Sequence, residues 1–291
     1  GAASTPRTFG YDAFSRMTVA TNGANSVVYT YDAVGRKVKR LKRDATIYPD
    51  STYYVYDGLD PVCMVEFNPA HTECTTVTWL TRGLGVAPGI GNIVAQQRYT
   101  INFNGTASQP VMHYYHPNHR GDTAYLTDAS GVKVASYIYD AFGRMLTDSP
   151  ATLTDYRFSG KEWDPDAQLY YFGFRWYDPD TGTWTTKDPL KFRGGDINIY
   201  RFASNDPLNH HDSYGLWTTA NMTDGSQFNN DPMLSNTFAE IRQAERDTWN
   251  QGLDNYAEGL NTLVEAVDGV SLAIKAGIKW LIGLLKIDPC S

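Results

Sequence analysis

Cysteine is scarce in this sequence, with three residues among 291. Three are too few for a small domain held together by disulfides, and none shows the CxxC spacing of a zinc site. One pair still suggests a bridge. If the segments on either side of Asn68-Pro69 form a hairpin, Cys63 and Cys74 lie opposite each other at a distance that a disulfide spans. We therefore expect a Cys63–Cys74 disulfide in an oxidising compartment.

An excess of basic residues is also lacking, because 25 Lys and Arg stand against 32 acidic residues and the net charge is −7. Proteins that bind a phosphate backbone do so mainly through Lys and Arg, so this balance predicts no nucleic-acid partner. His113, His116 and His119 recur every third residue, but in a strand this spacing points neighbouring side chains to opposite faces. We expect no metal site and no cofactor.

Leucine-rich helical stretches are missing from the first two thirds of the chain, whereas Tyr (20) and Gly (25) are plentiful. This composition favours short strands joined by tight turns. A phrase that begins with Tyr-Asp recurs after strand-like runs, and its Asp and Gly are typical of a turn that closes one strand before Arg starts the next. It occupies residues 11–16 (YDAFSR), 31–36 (YDAVGR), 56–58 (YDG) and 139–144 (YDAFGR).

The phrase Tyr-Asp-x-x-Gly-Arg at this spacing resembles the YD repeat of RHS proteins, of the C component of Tc insecticidal toxins and of teneurins. Further ordered motifs resemble the RHS-associated core, among them residues 115–122 (YHPNHRGD), 157–162 (RFSGKE) and 169–179 (LYYFGFRWYDP). The resemblance implies a mainly β fold, in which an antiparallel YD-repeat sheet spirals into a shell around a C-terminal passenger, commonly a toxin. We predict a YD-repeat region over 1–110, an RHS-associated core over 111–216 and a small α-helical passenger or tail over 217–291.

The family that the chain resembles ends its core with a phrase like Pro-x4-Asp-Pro-x-Gly-Leu, after which aspartate-dependent self-cleavage cuts the chain. Residues 207–216 (PLNHHDSYGL) match this phrase, with Ser213 in place of the second proline. The resemblance therefore implies autoproteolysis between Leu216 and Trp217. This is the only enzymatic activity that we expect.

Cleavage of this kind needs one carboxylate to activate water or polarise the bond and a second to carry the proton, with separated pKa values. The resemblance implies Asp188 as the first carboxylate, with Lys187 as the basic residue before it. The position expected for the second aspartate holds Tyr200 and Arg201, and Asp196 and Asp206 lie near it. The alternative is that the aspartates beside Pro or Gly are turn residues. The candidate catalytic set is Asp188, Asp212, Lys187 and Asp196.

The tail differs from the rest of the chain, because residues 232–287 have helical apolar spacing. In its last segment Lys275, Lys279 and Lys286 form one narrow stripe, and Trp280 stands beside them. Such a helix suits a membrane surface or a pore. The alternative is a helix buried in a bundle or between subunits, which the five basic and ten acidic residues of the tail favour.

Two functions are consistent with these features. The first is a secreted RHS carrier that packages a short helical segment, toxin-like or membrane-active, and releases it by self-cleavage. The second is a non-enzymatic structural protein whose helical tail joins copies into homo-oligomers or filaments. Both predict an extracellular or cell-surface location. The expected partners are the chain's own C-terminal segment, further copies of the chain, and a glycan or membrane surface.

Overall fold

A computed structural model describes residues 6–23, 25–43, 50–68, 74–83, 90–102, 106–149, 153–189, 192, 196–216 and 219–220. Trp217 and the predicted tail helices, with Lys275, Lys279, Trp280 and Lys286, lie outside the described residues. Within the described part of the chain, no helix has the length and apolar content needed to cross a membrane.

Among the described residues, the largest element is one antiparallel sheet of 12 strands, in which spatial order follows chain order. This arrangement confirms the prediction of a mainly β fold. The sheet continues across residues 110 and 111, so the predicted boundary there marks a change of sequence motif within one sheet. Its strands are β1 (Arg7–Tyr11), β2 (Met17–Asn22), β3 (Asn25–Tyr31), β4 (Lys37–Arg43), β5 (Ser51–Asp57), β6 (Asp60–Phe67), β7 (Cys74–Arg82), β8 (Ile93–Thr100), β9 (Val111–Pro117), β10 (Thr123–Thr127), β11 (Lys133–Tyr139) and β12 (Met145–Ser149).

A smaller unit follows the sheet and packs against it. It contains a four-stranded antiparallel sheet and a two-stranded one, with single 3-10 turns at Phe158–Gly160 and Ala203–Asn205. The strands are β13 (Glu162–Asp164), β14 (Leu169–Tyr171), β15 (Trp176–Asp178), β16 (Thr183–Trp184), β17 (His210–His211) and β18 (Thr219–Ala220).

The Tyr-Asp phrases form the turns between strands, as their residue types predict. In the second copy, Asp32 Oδ1 accepts the backbone N–H groups of Val34 and Arg36 at 3.1 and 2.9 Å. Gly35 has φ +91°, a conformation that side-chain-bearing residues rarely adopt. Short acidic or amide side chains favour this local bonding, which stops one strand and starts the next. The same pair of side-chain bonds recurs at Asp12, Asn118, Asp128 and Asp140.

Apolar clusters join the smaller unit to the large sheet, and burial of these side chains is the main favourable term in folding. One cluster connects β2 and β3 to β14 and β15; it consists of Met17, Ala20, Val27, Tyr29, Ala167, Leu169, Tyr171 and Trp176. A second lines β7 to β11. A third is almost wholly aromatic and contains Phe158, Tyr170, Phe172, Tyr177, Trp184, Phe202 and Ala203.

A buried lysine also connects the two parts. Lys37 occupies the position after the arginine of its Tyr-Asp phrase, where the first copy has the buried Met17. Lys37 is 0% exposed, and its Nζ lies 2.8 Å from Glu162 Oε1 and within 4.7 Å of the ring centres of Tyr54 and Tyr171. The ion pair and the cation–π contacts replace the water that a buried ammonium loses.

The predicted Cys63–Cys74 disulfide is wrong, because both cysteines are free thiols. β6 ends at Phe67 and β7 begins at Cys74, and these two residues are paired. The six residues between them change the register, so Cys63 lies opposite Trp79. Register in a hairpin depends on loop length, which the sequence pattern did not define.

Candidate active site

Arg175 lies at the centre of a buried charged cluster. It ends the turn between β14 and β15, and its Nη2 lies 2.9 Å from Asp188 Oδ2 and 3.1 Å from Asp212 Oδ2. Asp188 follows β16 and Asp212 follows β17, so three separate segments meet here. All three residues are at most 8% exposed. One guanidinium thus serves two buried carboxylates.

Backbone contacts and an aromatic ring hold this cluster in place. The carbonyl of Ile199 accepts the backbone N–H of Asp188 at 3.0 Å and Nη1 of Arg175 at 3.4 Å. The guanidinium lies over the buried ring of Trp184, with 4.2 Å between its carbon and the ring centre. Arginine stacks in this way while its edge donates hydrogen bonds to carboxylates. The ring therefore fixes the plane from which Arg175 reaches both aspartates.

Asp212 also binds the turn that leads to the predicted cleavage point. Its Oδ1 accepts the backbone N–H groups of Gly215 and Leu216 at 2.7 and 3.0 Å. Gly215 has φ +75°, and a Cβ there would lie 3.1 Å from the Cβ of Arg175. The Nε of Arg175 donates to the Gly215 carbonyl. The residue before the predicted scissile bond is thus bonded directly to one carboxylate of the cluster.

The electrostatics of the cluster suit proton transfer. Burial raises the pKa of Asp212 to about 6, and the neighbouring Asp188 adds to this rise, while Arg175 and the two backbone N–H groups oppose it. Burial lowers the pKa of Arg175, although both carboxylates favour its charged form. A carboxyl group with a pKa of about 6 gains or loses a proton near neutral pH. It stands beside a second carboxylate, which is the arrangement that acid–base chemistry on an amide needs.

The structure brings together two of the four predicted catalytic residues. Asp188 and Asp212 meet at Arg175, as described above. Lys187 is exposed. Asp196 lies outside the cluster: its Oδ2 is 3.2 Å from Nε of Arg201, and its Oδ1 caps a surface turn. Within the described residues, no group of three or more His, Cys, Asp and Glu side chains is arranged to hold a metal ion.

Arg175 itself was missed in the sequence. A signal for it exists, because Arg175 is the one charged residue in the run 169–177 (LYYFGFRWY), whose other members are apolar, aromatic or glycine. Such a run predicts burial, and a buried arginine requires acidic partners. The spacing along the chain does not identify those partners, which lie 13 and 37 residues downstream.

Comparison with known proteins agrees with the fold and with the resemblance in the repeats. The family model described as teneurin YD-shell matches residues 107–208. A crystal structure of TcdB2-TccC3 is similar over 72% of this chain and 10% of that chain, with a TM-score of 0.58 and 22% sequence identity. Over residues 107–208 the chain is therefore similar to the YD-shell family, and its fold is similar to that of TcdB2-TccC3.

Two curated relatives match this chain over most of its length. The tRNA3(Ser)-specific nuclease WapA of Bacillus spizizenii is 27% identical over 219 residues, which are 72% of this chain and 8% of that protein. The double-stranded DNA deaminase toxin A of Burkholderia cenocepacia is 27% identical over 231 residues, which are 74% of this chain and 16% of that protein. The chain therefore spans a small part of the length of these relatives.

The names of these relatives correct one prediction. Net charge excluded nucleic acid as a partner, but two relatives that match most of this chain are named for action on tRNA and on double-stranded DNA. The exclusion of nucleic acid is therefore wrong. Its physical basis was too coarse, because net charge averages over a whole chain and does not describe what a segment attached to the shell acts on.

Proposed function

We propose that this chain is a secreted RHS/YD carrier that packages the segment after Leu216 and releases it by self-cleavage of the Leu216–Trp217 bond. The shell-like fold and the toxin-related relatives support the carrier role. One observation supports the cleavage most directly: Asp212 binds the N–H of Leu216 and shares Arg175 with Asp188.

The proposed reaction is hydrolysis of one amide. A water oxygen attacks the carbonyl carbon of Leu216 while Asp188 accepts a proton from that water. As the C–N bond breaks, protonated Asp212 gives its proton to the nitrogen of Trp217. The products are a carboxyl group on Leu216 and an amino group on Trp217. Arg175 balances the charge on both aspartates during the transfer.

Mass spectrometry of the purified chain tests this reaction. We expect a fragment that begins at Trp217 and a second that ends at Leu216. Asp188→Asn and Asp212→Asn each remove a group that transfers a proton, so these variants are expected to stay intact for at least a hundred times longer. Asp196→Asn is the matched control, because Asp196 lies outside the cluster, and it is expected to cleave like the parent.

Two results would contradict the proposal. One is a parent chain that remains intact from pH 5 to pH 8, and the other is an Asp188→Asn variant that cleaves at the parental rate. Circular dichroism of each variant, compared with that of the parent, separates loss of chemistry from loss of fold.

The released segment is proposed to be toxin-like, because proteins named as a nuclease and a deaminase toxin share the shell. A first assay incubates the released fragment separately with tRNA, with double-stranded DNA and with anionic lipid vesicles. Degradation or deamination identifies a nucleic-acid target, whereas vesicle leakage identifies a membrane-active helix. A fragment that leaves all three unchanged argues against the toxin-like role.

An assembly role is a second candidate, and the sheet itself supports it. Among the described strands, β1 pairs with β2 alone and β12 pairs with β11 alone, so both ends of the sheet present a strand edge. Such edges can pair with another copy of the chain. Analytical ultracentrifugation tests this: concentration-dependent oligomers support assembly, and a monomer at all concentrations opposes it.

A further inference from the structure

Besides Arg175, a second buried cation, Lys161, lies against residues 212–216, the turn before the predicted cleavage point, here called the junction turn. It is 7% exposed, and its Nζ lies 5.2 Å from the ring centre of Tyr214 and 5.7 Å from that of Phe172. Tyr214 stands between Asp212 and Leu216, so the ring that Lys161 contacts belongs to the turn described above. An ammonium within about 6 Å of an aromatic ring is attracted to its face.

The backbone beneath Lys161 is closely packed. A Cβ on Gly160 would lie 2.9 Å from the backbone nitrogen of Gly91, and a Cβ on Gly91 would lie 2.7 Å from the Cα of Gly121. The N–H of Lys161 donates to the carbonyl of Phe158 at 2.9 Å. Glycine allows this close approach of three loops, which fixes the point from which the lysine side chain extends.

Tyr214 is also held through its backbone. Its carbonyl accepts the backbone N–H of Phe174 at 3.1 Å, and Phe174 is the neighbour of Arg175. The turn is thus bound on its backbone by the segment that carries Arg175 and contacted on its aromatic ring by Lys161.

Charged groups from several elements act on Lys161. Burial lowers the pKa of Lys161 to about 8, and Arg82 of β7 also disfavours its charge, whereas Asp60 of β6 and Asp212 favour it. The phenol of Tyr214 stays neutral through this range, because burial raises its pKa. Lys161 therefore changes charge at mildly alkaline pH.

We propose that Lys161 is a positioning residue for the junction, whose ammonium holds the ring of Tyr214 and so keeps residues 212–216 in the turn where Asp212 binds the N–H groups of Gly215 and Leu216. Its effect on cleavage rests on the proposed function, but its effect on the turn does not. Lys161 acts through Tyr214 and takes no part in the bond breaking.

Hydrogen exchange of the Gly215 and Leu216 amides tests this role in the Asp188→Asn variant, which keeps the junction intact for the measurement. Lys161→Met keeps the apolar stem and removes the charge, and we expect protection at pH 7 to fall about tenfold. Lys161→Arg keeps a cation that stacks on aromatic rings and does not lose its proton, so this variant is expected to retain the protection seen with lysine. The Asp128 turn serves as an internal control and should not change.

The pH profile distinguishes positioning from general packing. With Lys161 present, protection corrected for intrinsic exchange is expected to decline above about pH 8, where the lysine loses its charge. In Lys161→Arg this decline is expected to be absent. Equal profiles for the two chains would overturn the inference, even if Lys161→Met failed to fold.

The rate of cleavage gives a second test of Lys161, measured in the chain that keeps Asp188. If the junction reacts as proposed, Lys161→Met is expected to slow fragment formation about tenfold, and Lys161→Arg to restore it. A parent chain that never cleaves refutes the proposed function and leaves the exchange test intact. Unchanged protection in Lys161→Met refutes the positioning role, whatever the cleavage result.

Discussion

Two buried cations with acidic partners differ in the number of carboxylates that each one faces. Lys37 Nζ lies 2.8 Å from Glu162 and is otherwise surrounded by aromatic rings, such as that of Tyr54. Arg175 lies 2.9 and 3.1 Å from two carboxylates, those of Asp188 and Asp212. The first site connects the large sheet to the smaller unit, whereas the second lies beside the junction turn.

The difference distinguishes a site that connects two parts of the fold from a site that we propose to act in cleavage. One ammonium balances one carboxylate at Lys37, so the pair has no net charge. At Arg175 one cation faces two acids, and burial together with the second acid raises the pKa of Asp212 to about 6. A surplus carboxyl group in a buried site is what makes proton transfer available near neutral pH.

The largest effect is expected from Arg175→Met. It leaves two carboxylates buried without their cation, and removal of one member of a buried ionic cluster costs about 5 kcal/mol of unfolding free energy. Urea unfolding followed by circular dichroism measures this loss. Arg175→Lys keeps the charge without the fork that reaches both acids, so it is expected to lose less. A loss below about 1 kcal/mol for Arg175→Met would mean that the cluster does not stabilise the fold.

Lys37→Met is expected to cost about 4 kcal/mol, because Glu162 then keeps the hydrogen bond from the Tyr54 hydroxyl but is buried without its cation. The double variant Lys37→Met with Glu162→Gln is expected to return to within about 1 kcal/mol of the parent, since methionine fits the equivalent position at Met17. The same urea titration measures both. If the double variant is as unstable as Lys37→Met alone, the ion pair makes a net contribution to stability beyond offsetting the cost of burying its two charges.

The pH dependence of stability should separate the two sites. The raised pKa of Asp212 means that the folded protein holds this proton more tightly than the unfolded chain. Its contribution is complete below about pH 4 and is lost as the pH rises through about 6, a change of about 3 kcal/mol. As the pH rises from about 4 through about 6, the unfolding free energy of the parent minus that of Asp212→Asn should fall by that amount. Asp155, whose pKa is also raised to about 6, is present in both proteins, so its contribution cancels when the two unfolding free energies are subtracted. A pH-independent difference would contradict the shift.

The smallest effect compares two equivalent glycines. Gly35 and Gly143 have φ of +91° and +87°, but a Cβ meets nothing within 4 Å at Gly35 and lies 2.5 Å from the ring of Phe158 at Gly143. Gly35→Ala is expected to cost about 1 kcal/mol for its dihedral angle. Gly143→Ala should cost about 2 kcal/mol more because the ring must move. Equal losses of thermal stability would show that Phe158 yields without cost.

Much of the large sheet was predictable because its signals are local. The aspartates of the Tyr-Asp phrases bond to backbone groups two and four residues ahead, so each turn is determined by a few adjacent residues. Pairing across longer loops was not predictable in the same way. The six residues between Phe67 and Cys74 changed the register and separated the two cysteines that a shorter turn would have joined.

The candidate site was predictable only in part. Asp188 and Asp212 were found through a resemblance in motifs, but nothing in their spacing shows that both reach the same arginine. Asp196 carries the same chemical group and lies on the surface with Arg201. Identical side chains in similar sequence surroundings thus had different fates, because burial and partners depend on segments far away in the chain.

The sequence alone determined the turn chemistry, the mainly β character and the order of strands that follow one another in a meander, since these depend on neighbours along the chain. Tertiary structure decided which charges became buried and which partners they met. Packing of the smaller unit against the sheet enclosed Lys37 with Glu162 and Arg175 with two aspartates. A charge removed from water must find its counterpart in space, and chain distance does not limit where that counterpart lies.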